Sequence, residues 1–274
     1  MTPILAIAEK EVRDARRQRW FLLLAAIFAA LALAFSLLGL AGLGTVGVAG
    51  FGRTAASLVN LVMLIVPLMG LTLGAHSLAS EREQGTLTTL LAQPLRASEV
   101  LLGKFLGLAW ALTIAVLVGF GLSGLAIAGR AGSAQVGDYG MLLLLTAFLG
   151  LGHLSLGLLL STLAPKGSTA LSLALLLWLT LVFFSDLGLV GTAMVLRLPP
   201  WALLTLALLN PVQEFKVAAI QVLHGNLELL GAAGLYANEV LGPFLVPLLL
   251  TALGLWMLLP LALALILFPW RANG

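Results

Sequence analysis

No cysteine occurs among the 274 residues, so the chain forms no disulfide and offers no thiolate to a metal or to redox chemistry. Charge is nearly as scarce. Asp, Glu, Lys and Arg make up 9% of the chain and hydrophobic residues 61%, whereas soluble domains carry about 25% charged residues. That scarcity excludes a water-soluble domain and indicates an integral membrane protein. Catalytic signatures are missing too. There is no G-x-x-x-x-G-K-[ST] phosphate loop, since Gly103-Lys104 continues as Phe105, and no H-E-x-x-H, C-x-x-C or G-x-S-x-G. The chain therefore has no visible means of hydrolysing a nucleotide. Work done across a membrane must draw on a partner or on an ion gradient. The scattered His76, His153 and His224, and the methionines, which form no cluster, give no metal site.

What is abundant is uncharged apolar sequence. A bilayer is crossed by about 20 such residues, and runs of that order lie at about 20–43, 54–79, 105–129, 139–163, 168–194 and 246–270. They predict an all-α polytopic membrane protein with six transmembrane helices and both termini on one side. The terminal side carries Lys10, Arg13, Arg16, Arg17, Arg19, Arg82, Arg96, Lys104, Lys166 and Arg271; the other carries Arg53, Arg130, Arg197 and Lys216. The excess of basic residues places the termini in the cytoplasm. The same rule accounts for the net charge of +3, and no nucleic-acid partner is expected.

Residues 1–19 read as an amphipathic elbow helix. Thr2 and Pro3 suit its start, Ile4, Leu5, Ala8, Val12 and Ala15 line one face, and Lys10, Arg13, Arg16 and Arg17 occupy the others, the pattern of a helix in the headgroup plane. A secretory signal peptide is disfavoured by the length of the following run and by Glu9, Glu11 and Asp14 in the charged front.

Between the second and third runs lies a charged island, Ser80 to Phe105. Ser80 and Glu83 have the S-x-x-E spacing of a capping box, which would set Glu81 and Glu83 at the positive end of a helix dipole. Leu87, Leu90 and Leu91 fall on one face, and Pro94 disfavours helix at Gln93. A short helix over 80–93 is expected, with Ser98 and Glu99 opening the next.

On the opposite side, 196–245 is too long and apolar for an ordinary loop. Trp201 to Leu209 is too short to span and reads as a re-entrant or interfacial piece. Asn210, Pro211 and Gln213 mark the start of an amphipathic surface helix that Gly225 would end. Asp186, in the fifth run, must face protein or water, and His153 in the fourth is its natural partner at similar depth. Such a pair fits a proton relay or a polar path as well as structural glue; His76, near the cytoplasmic interface, reads as hydrated. Gly70 with Gly74 and Gly103 with Gly107 have G-x-x-x-G spacing suited to close helix packing or dimerisation. Pro67 and Pro260 suggest kinks.

The run Ser80-Glu81-Arg82-Glu83-Gln84-Gly85-Thr86-Leu87, then Leu90-Leu91, Pro94 and Glu99-Val100-Leu101-Leu102-Gly103-Lys104-Phe105, resembles the coupling region of ABC-2 type permeases, the membrane halves of ATP-binding-cassette exporters. The layout agrees along the whole chain: elbow, six spans, coupling helix after the second, re-entrant helices before the sixth, as in type V exporters. AEKEVRDARRQRW, LLGKF and Leu208-Leu209-Asn210-Pro211 are further similar to the subfamily serving maturation of nitrous-oxide reductase, a copper enzyme. The resemblance implies a homodimer in the bacterial inner membrane, each copy docking a separate cytoplasmic ABC ATPase that holds the ATP and magnesium. This chain itself would carry no cofactor and catalyse nothing. The coupling residues would be Ser80 through Leu87, Leu90 and Leu91, with Glu81 and Glu83 seated in the ATPase. It also implies a periplasmic β-helical protein, with a copper-chaperone lipoprotein beyond it, docking on 196–245 through Asn210, Pro211, Gln213, Glu214 and Lys216. Two alternatives stay open: an ABC-2 exporter of lipid, polysaccharide or drug, and an ion-coupled carrier using Asp186 and His153. The carrier would be expected to show the internal repeats that this sequence lacks.

Overall fold

The computed structural model describes residues 3–41, 48–91, 93, 95–131, 136–184, 199–223 and 232–272. Among these it is built of helices, with no strand. In chain order they are α1 (Pro3–Ala15), α2 (Arg19–Ala41), α3 (Val48–Glu83), α4 (Thr86–Leu91), α5 (Ala97–Ala131), α6 (Val136–Leu163) and α7 (Gly167–Leu179), which a π-helical segment, Thr180–Phe184, continues. After them come α8 (Pro200–Leu208), α9 (Pro211–Val222), α10 (Ala232–Leu241) and α11 (Leu245–Ala272). Six stretches are long and apolar enough to cross a membrane: Arg19–Leu38, Ser57–Glu83, Ala97–Gly124, Gly137–Leu163, Gly167–Phe184 and Glu239–Pro269. Each overlaps one of the six expected runs. Asp186, Arg197, His224 and Gly225, like Thr2 and Pro94, lie outside the described residues. The Asp186–His153 pairing therefore has no structural reading.

α3 is the axis of the bundle. Its span is 83% buried, against 28% for the outer spans of α2 and α11. The cause is glycine placement. A Cβ on Gly70 would stand 2.6 Å from Gly150 O, and one on Gly74 would stand 2.5 Å from Leu154 O. From the other side, a Cβ on Gly157 of α6 would stand 2.5 Å from Leu71 O. The α3 and α6 backbones therefore touch directly, as small residues allow where lipid gives helices no hydrophobic reason to associate. An alanine seam does the same on the other flank, where Ala75 and Ala79 of α3 pack with Ala170 and Ala174 of α7. The second pair, Gly103 and Gly107, receives α1. A Cβ on Gly103 would meet Ile7, and one on Gly107 would meet Ala8 O and Glu11. Both glycine pairs thus serve packing within one chain. α3 and α11 run on through Pro67 and Pro260.

The face that α1 turns inward overlaps the expected apolar one, since Ile4 and Val12 are half-buried and Ala8 and Ala15 buried, but it is rotated to take in Ile7 and Glu11 and to leave Leu5 out. Ile7, Ala8, Glu11 and Ala15 are buried, whereas Leu5 is 57% exposed. On α5 an apolar stripe of Leu106, Trp110, Ile114 and Leu117 faces outward, suited to contact with acyl chains or another apolar surface.

α8 and α9 meet at a bend of 112°, a broken or re-entrant arrangement that agrees with the short reach of Trp201 to Leu209. α9 is not the exposed amphipathic helix expected from its sequence. Asn210, Pro211, Gln213 and Glu214 are buried, and Lys216 is half-buried. α9 is wedged against α6, α11 and α3, with Val212, Phe215 and Ala218 fully enclosed. In this arrangement four of the five residues expected to dock an external partner face into the bundle.

Candidate functional site

The charged island forms one end of the bundle, and its helix boundaries differ from the expected ones. α3 runs unbroken through Ser80 to Glu83. Ser80 Oγ donates back to His76 O within that helix, so Ser80 is no N-cap and the capping box is not formed. The break comes at Gly85, whose φ of +73° is the left-handed conformation that glycine adopts without penalty. Glu81 and Glu83 consequently sit at the negative end of the α3 dipole, where a carboxylate is disfavoured unless it is compensated.

Both are compensated from within the chain. Glu81 Oε1 accepts from Lys10 Nζ at 2.7 Å and lies 2.9 Å from Lys104 Nζ. Lys104, 1% exposed, also donates to Glu11 Oε1 at 2.6 Å. Two lysines and two glutamates from α1, α3 and α5 thus alternate in one network. Burial by itself would lower the Lys10 pKa; the hydrogen bond to Glu81 and the charges of Glu11, Glu81 and Asp14 outweigh it and raise it above 10.5. Stabilisation from this pairing is complete below the ordinary lysine value and is lost only as pH rises through the raised one. α1 therefore stays clamped to α3 at neutral pH.

The other flank of α3 is held by the α6–α7 turn. Arg82 Nη1 donates to Ala164 O at 2.5 Å and to Ser161 O at 3.3 Å, engaging the last carbonyls of α6. Glu83 Oε2 accepts from Gly167 N at 2.9 Å, at the first turn of α7. Ser161 Oγ accepts from Leu78 N and Ala79 N at 2.9 and 2.8 Å. Ser161→Ala is expected to cost about 1 kcal/mol, read as a lower thermal midpoint of the detergent-solubilised protein. An unchanged midpoint would mean that these contacts carry no stability.

Beyond the two grips lies α4. Leu87 is 4% exposed and Leu90 packs half-buried on the core, so α4 is pinned by its apolar side. Its other side is open: Gln84, Gly85, Thr86 and Thr89 are exposed, as are Gln93 and Arg96. Glu99 Oε2 accepts from Arg96 N at 2.8 Å and secures the start of α5. The surface available to a partner is thus mostly polar and uncharged on α4 itself, with the exposed Glu83 and Arg96 on either side of it. Glu81, expected to seat in a partner, is instead committed to Lys10 and Lys104.

His76 is exposed and lines an open cavity of about 490 Å³ between α1 and α3, together with Lys10, Asp14, Arg17 and Glu81. His153 is fully buried, its Nδ1 2.8 Å from Leu149 O. Among the described residues no group of three His, Asp or Glu could hold a metal ion. Sequence reading missed Lys104, Lys10, Glu11 and Ser161 as members of this site. One signal was available: Glu11 shares the helical stripe of Ile7, Ala8 and Ala15, and a carboxylate on a buried face requires a cationic partner.

The profile of a family described as "ABC-2 family transporter protein" matches residues 5–271. The "Probable ABC transporter permease protein NosY" of Stutzerimonas stutzeri is 33% identical over 248 residues, covering 87% of this chain and 88% of that protein. The protein of the same name from Pseudomonas aeruginosa is 34% identical over 227 residues, 79% of this chain and 81% of its own length.

Proposed function

The chain belongs to the ABC-2 family of transporter permeases, and from that membership we propose that it couples a separate cytoplasmic ABC ATPase to movement of its own helices. The observation that carries this reading is the pinning of α4. Its apolar side is fixed to the core, its polar side is exposed, and the helix end leading into it is bonded to both flanks. A push on α4 is therefore transmitted through α3 to the elbow and α5 on one side and to α6 and α7 on the other. Rigid elements with fixed polar contacts move as bodies, which is what shear and hinge transitions require. Nucleotide and magnesium reside on the ATPase, and this chain is a non-catalytic subunit.

Two copies work together in the bacterial inner membrane, with the α4 end and both termini cytoplasmic. The likeness to NosY supports a role in assembling the copper site of periplasmic nitrous-oxide reductase. The partners would then be a NosF-like ATPase, a NosD-like periplasmic β-helical protein and a NosL-like lipoprotein. Residues 196–245 form the external docking side.

A tagged pull-down from native membranes, with mass spectrometry of the bound proteins, tests this. Recovery of a small ABC ATPase with a β-helical protein is expected, whereas recovery of neither would overturn the coupling reading. In the same assay Thr89→Trp, on the open side of α4, is expected to lose the ATPase while leaving the thermal midpoint unchanged. Full retention of the ATPase would move the docking surface away from α4.

A further inference from the structure

At the α8–α9 bend, Asn210 Oδ1 accepts from Val212 N at 2.8 Å and its Nδ2 donates to Leu181 O at 2.7 Å. This pins the hairpin to the π-helical end of α7. Leu181 lies about 21 Å along α7 from its start beside Arg82 and Glu83, at 1.5 Å per residue, so the bend sits in the half of the bundle away from α4. One turn after Asn210 comes Glu214, 1% exposed, with neither carboxyl oxygen hydrogen-bonded.

The elements packed on α9 are α11, α6, α3, α8 and the π-helical segment. The last two contain no ionisable residue, and α11 has only Arg271, at its far end. On α6 stand Asp138, Tyr139 and His153; Tyr139 donates to Phe120 O and His153 bonds to Leu149 O. On α3 stand Arg53, His76, Glu81, Arg82 and Glu83; Glu81, Arg82 and Glu83 are engaged at the α4 end. Lys216, two residues beyond Glu214, points to another side of α9. None of these groups is bonded to the Glu214 carboxyl.

An ionised carboxyl enclosed without a partner is strongly disfavoured. We infer that Glu214 is a proton-binding site: the α8–α9 hairpin seats in the bundle with this carboxyl protonated, and surrendering the proton to water requires the hairpin to lift. Burial pushes the Glu214 carboxyl up to about 8. A carboxyl whose value is raised in the seated state favours seating at low pH and weakens it as pH climbs from the ordinary carboxylate range toward the raised value. Lifting would also bring Asn210, Gln213 and Glu214 to the surface together, part of the set that the family resemblance implies for an external partner.

The test is hydrogen exchange of residues 200–222 in nanodiscs between pH 5.5 and 8.5, corrected for intrinsic exchange. Protection is expected to fall by up to about tenfold per pH unit, while α3 and α6 stay protected. Glu214→Gln should remain protected throughout. A flat profile in the natural protein, or the same slope in Glu214→Gln, overturns the assignment. Should that variant fail to fold, the natural protein labelled with ¹³C-glutamate decides the matter by infrared spectroscopy. A protonated glutamic-acid carbonyl band at pH 7 supports the site, and absence of the band overturns it.

Discussion

Lys104→Met is expected to destabilise the permease by about 3–5 kcal/mol, the usual cost of removing one partner from a buried ion pair. Lys104 is 1% exposed and holds Glu11 at 2.6 Å and Glu81 at 2.9 Å. Without it two enclosed carboxylates share Lys10, which is itself bonded to Glu81. The consequence is mechanical as well as energetic, since Lys104 joins the elbow, α3 and α5 at one point. Adding Glu11→Gln to Lys104→Met removes one of the stranded charges and should recover part of the loss, because interacting sites are not additive. Thermal unfolding of both variants in detergent provides the measurement. A Lys104→Met protein as stable as the parent would show that the network carries no net stability. Equal loss in the single and double variants would show that Glu11 is not its partner in energy.

The second large effect is expected at Gly74. A Cβ there would stand 2.5 Å from Leu154 O, 2.7 Å from Leu158 N and 2.9 Å from Gly157 C. All three are backbone atoms of α6, so no side chain can turn aside. Gly74→Val must part α3 from α6 along a backbone-to-backbone contact, at a cost of about 3 kcal/mol or more, and monodisperse protein should be lost on size-exclusion chromatography. Gly121→Ala is the control, since a Cβ at Gly121 meets nothing within 4 Å. It should be neutral or slightly stabilising, alanine being the better helix former by about 1 kcal/mol. A folded, monodisperse Gly74→Val protein would mean that α3 and α6 do not cross at these glycines.

Both predictions concern the ends and crossings of α3, on which the proposed coupling depends. In that proposal an ATPase pressing on α4 would move a helix end whose charges are already satisfied by neighbouring helices. Charge reversal at Glu81 therefore acts first on the elbow and α5, through Lys10 and Lys104, and only through them on docking. Reversal at Glu83 acts on the α6–α7 turn through Gly167 N.

Six spans, a charged island after the second span and a broken segment before the sixth were legible in the residues alone. Each is a one-dimensional property. Crossing a bilayer depends on the length and apolarity of a single run, because no water is present to satisfy the backbone and a helix satisfies its own. The short reach of Trp201 to Leu209 is equally local, whereas the break at Gly85 falls inside the helix expected over 80–93. Which charge meets which partner was not legible. Ser80 and Glu83 have the spacing of a capping box whether they begin a helix or end one, and only the unbroken course of α3 decides it. Glu81 reads equally well as a docking carboxylate or as a clamp until α1 and α5 bring Lys10 and Lys104 to it from 71 residues before and from the following span. The face of α9 is ambiguous for the same reason: its polar first turn fits water in sequence, but three helices close over it. Local pattern settles what each segment is, because secondary structure and membrane insertion are written in neighbouring residues. Burial of charge is settled by contacts between segments distant in the chain, and those exist only once the bundle has formed.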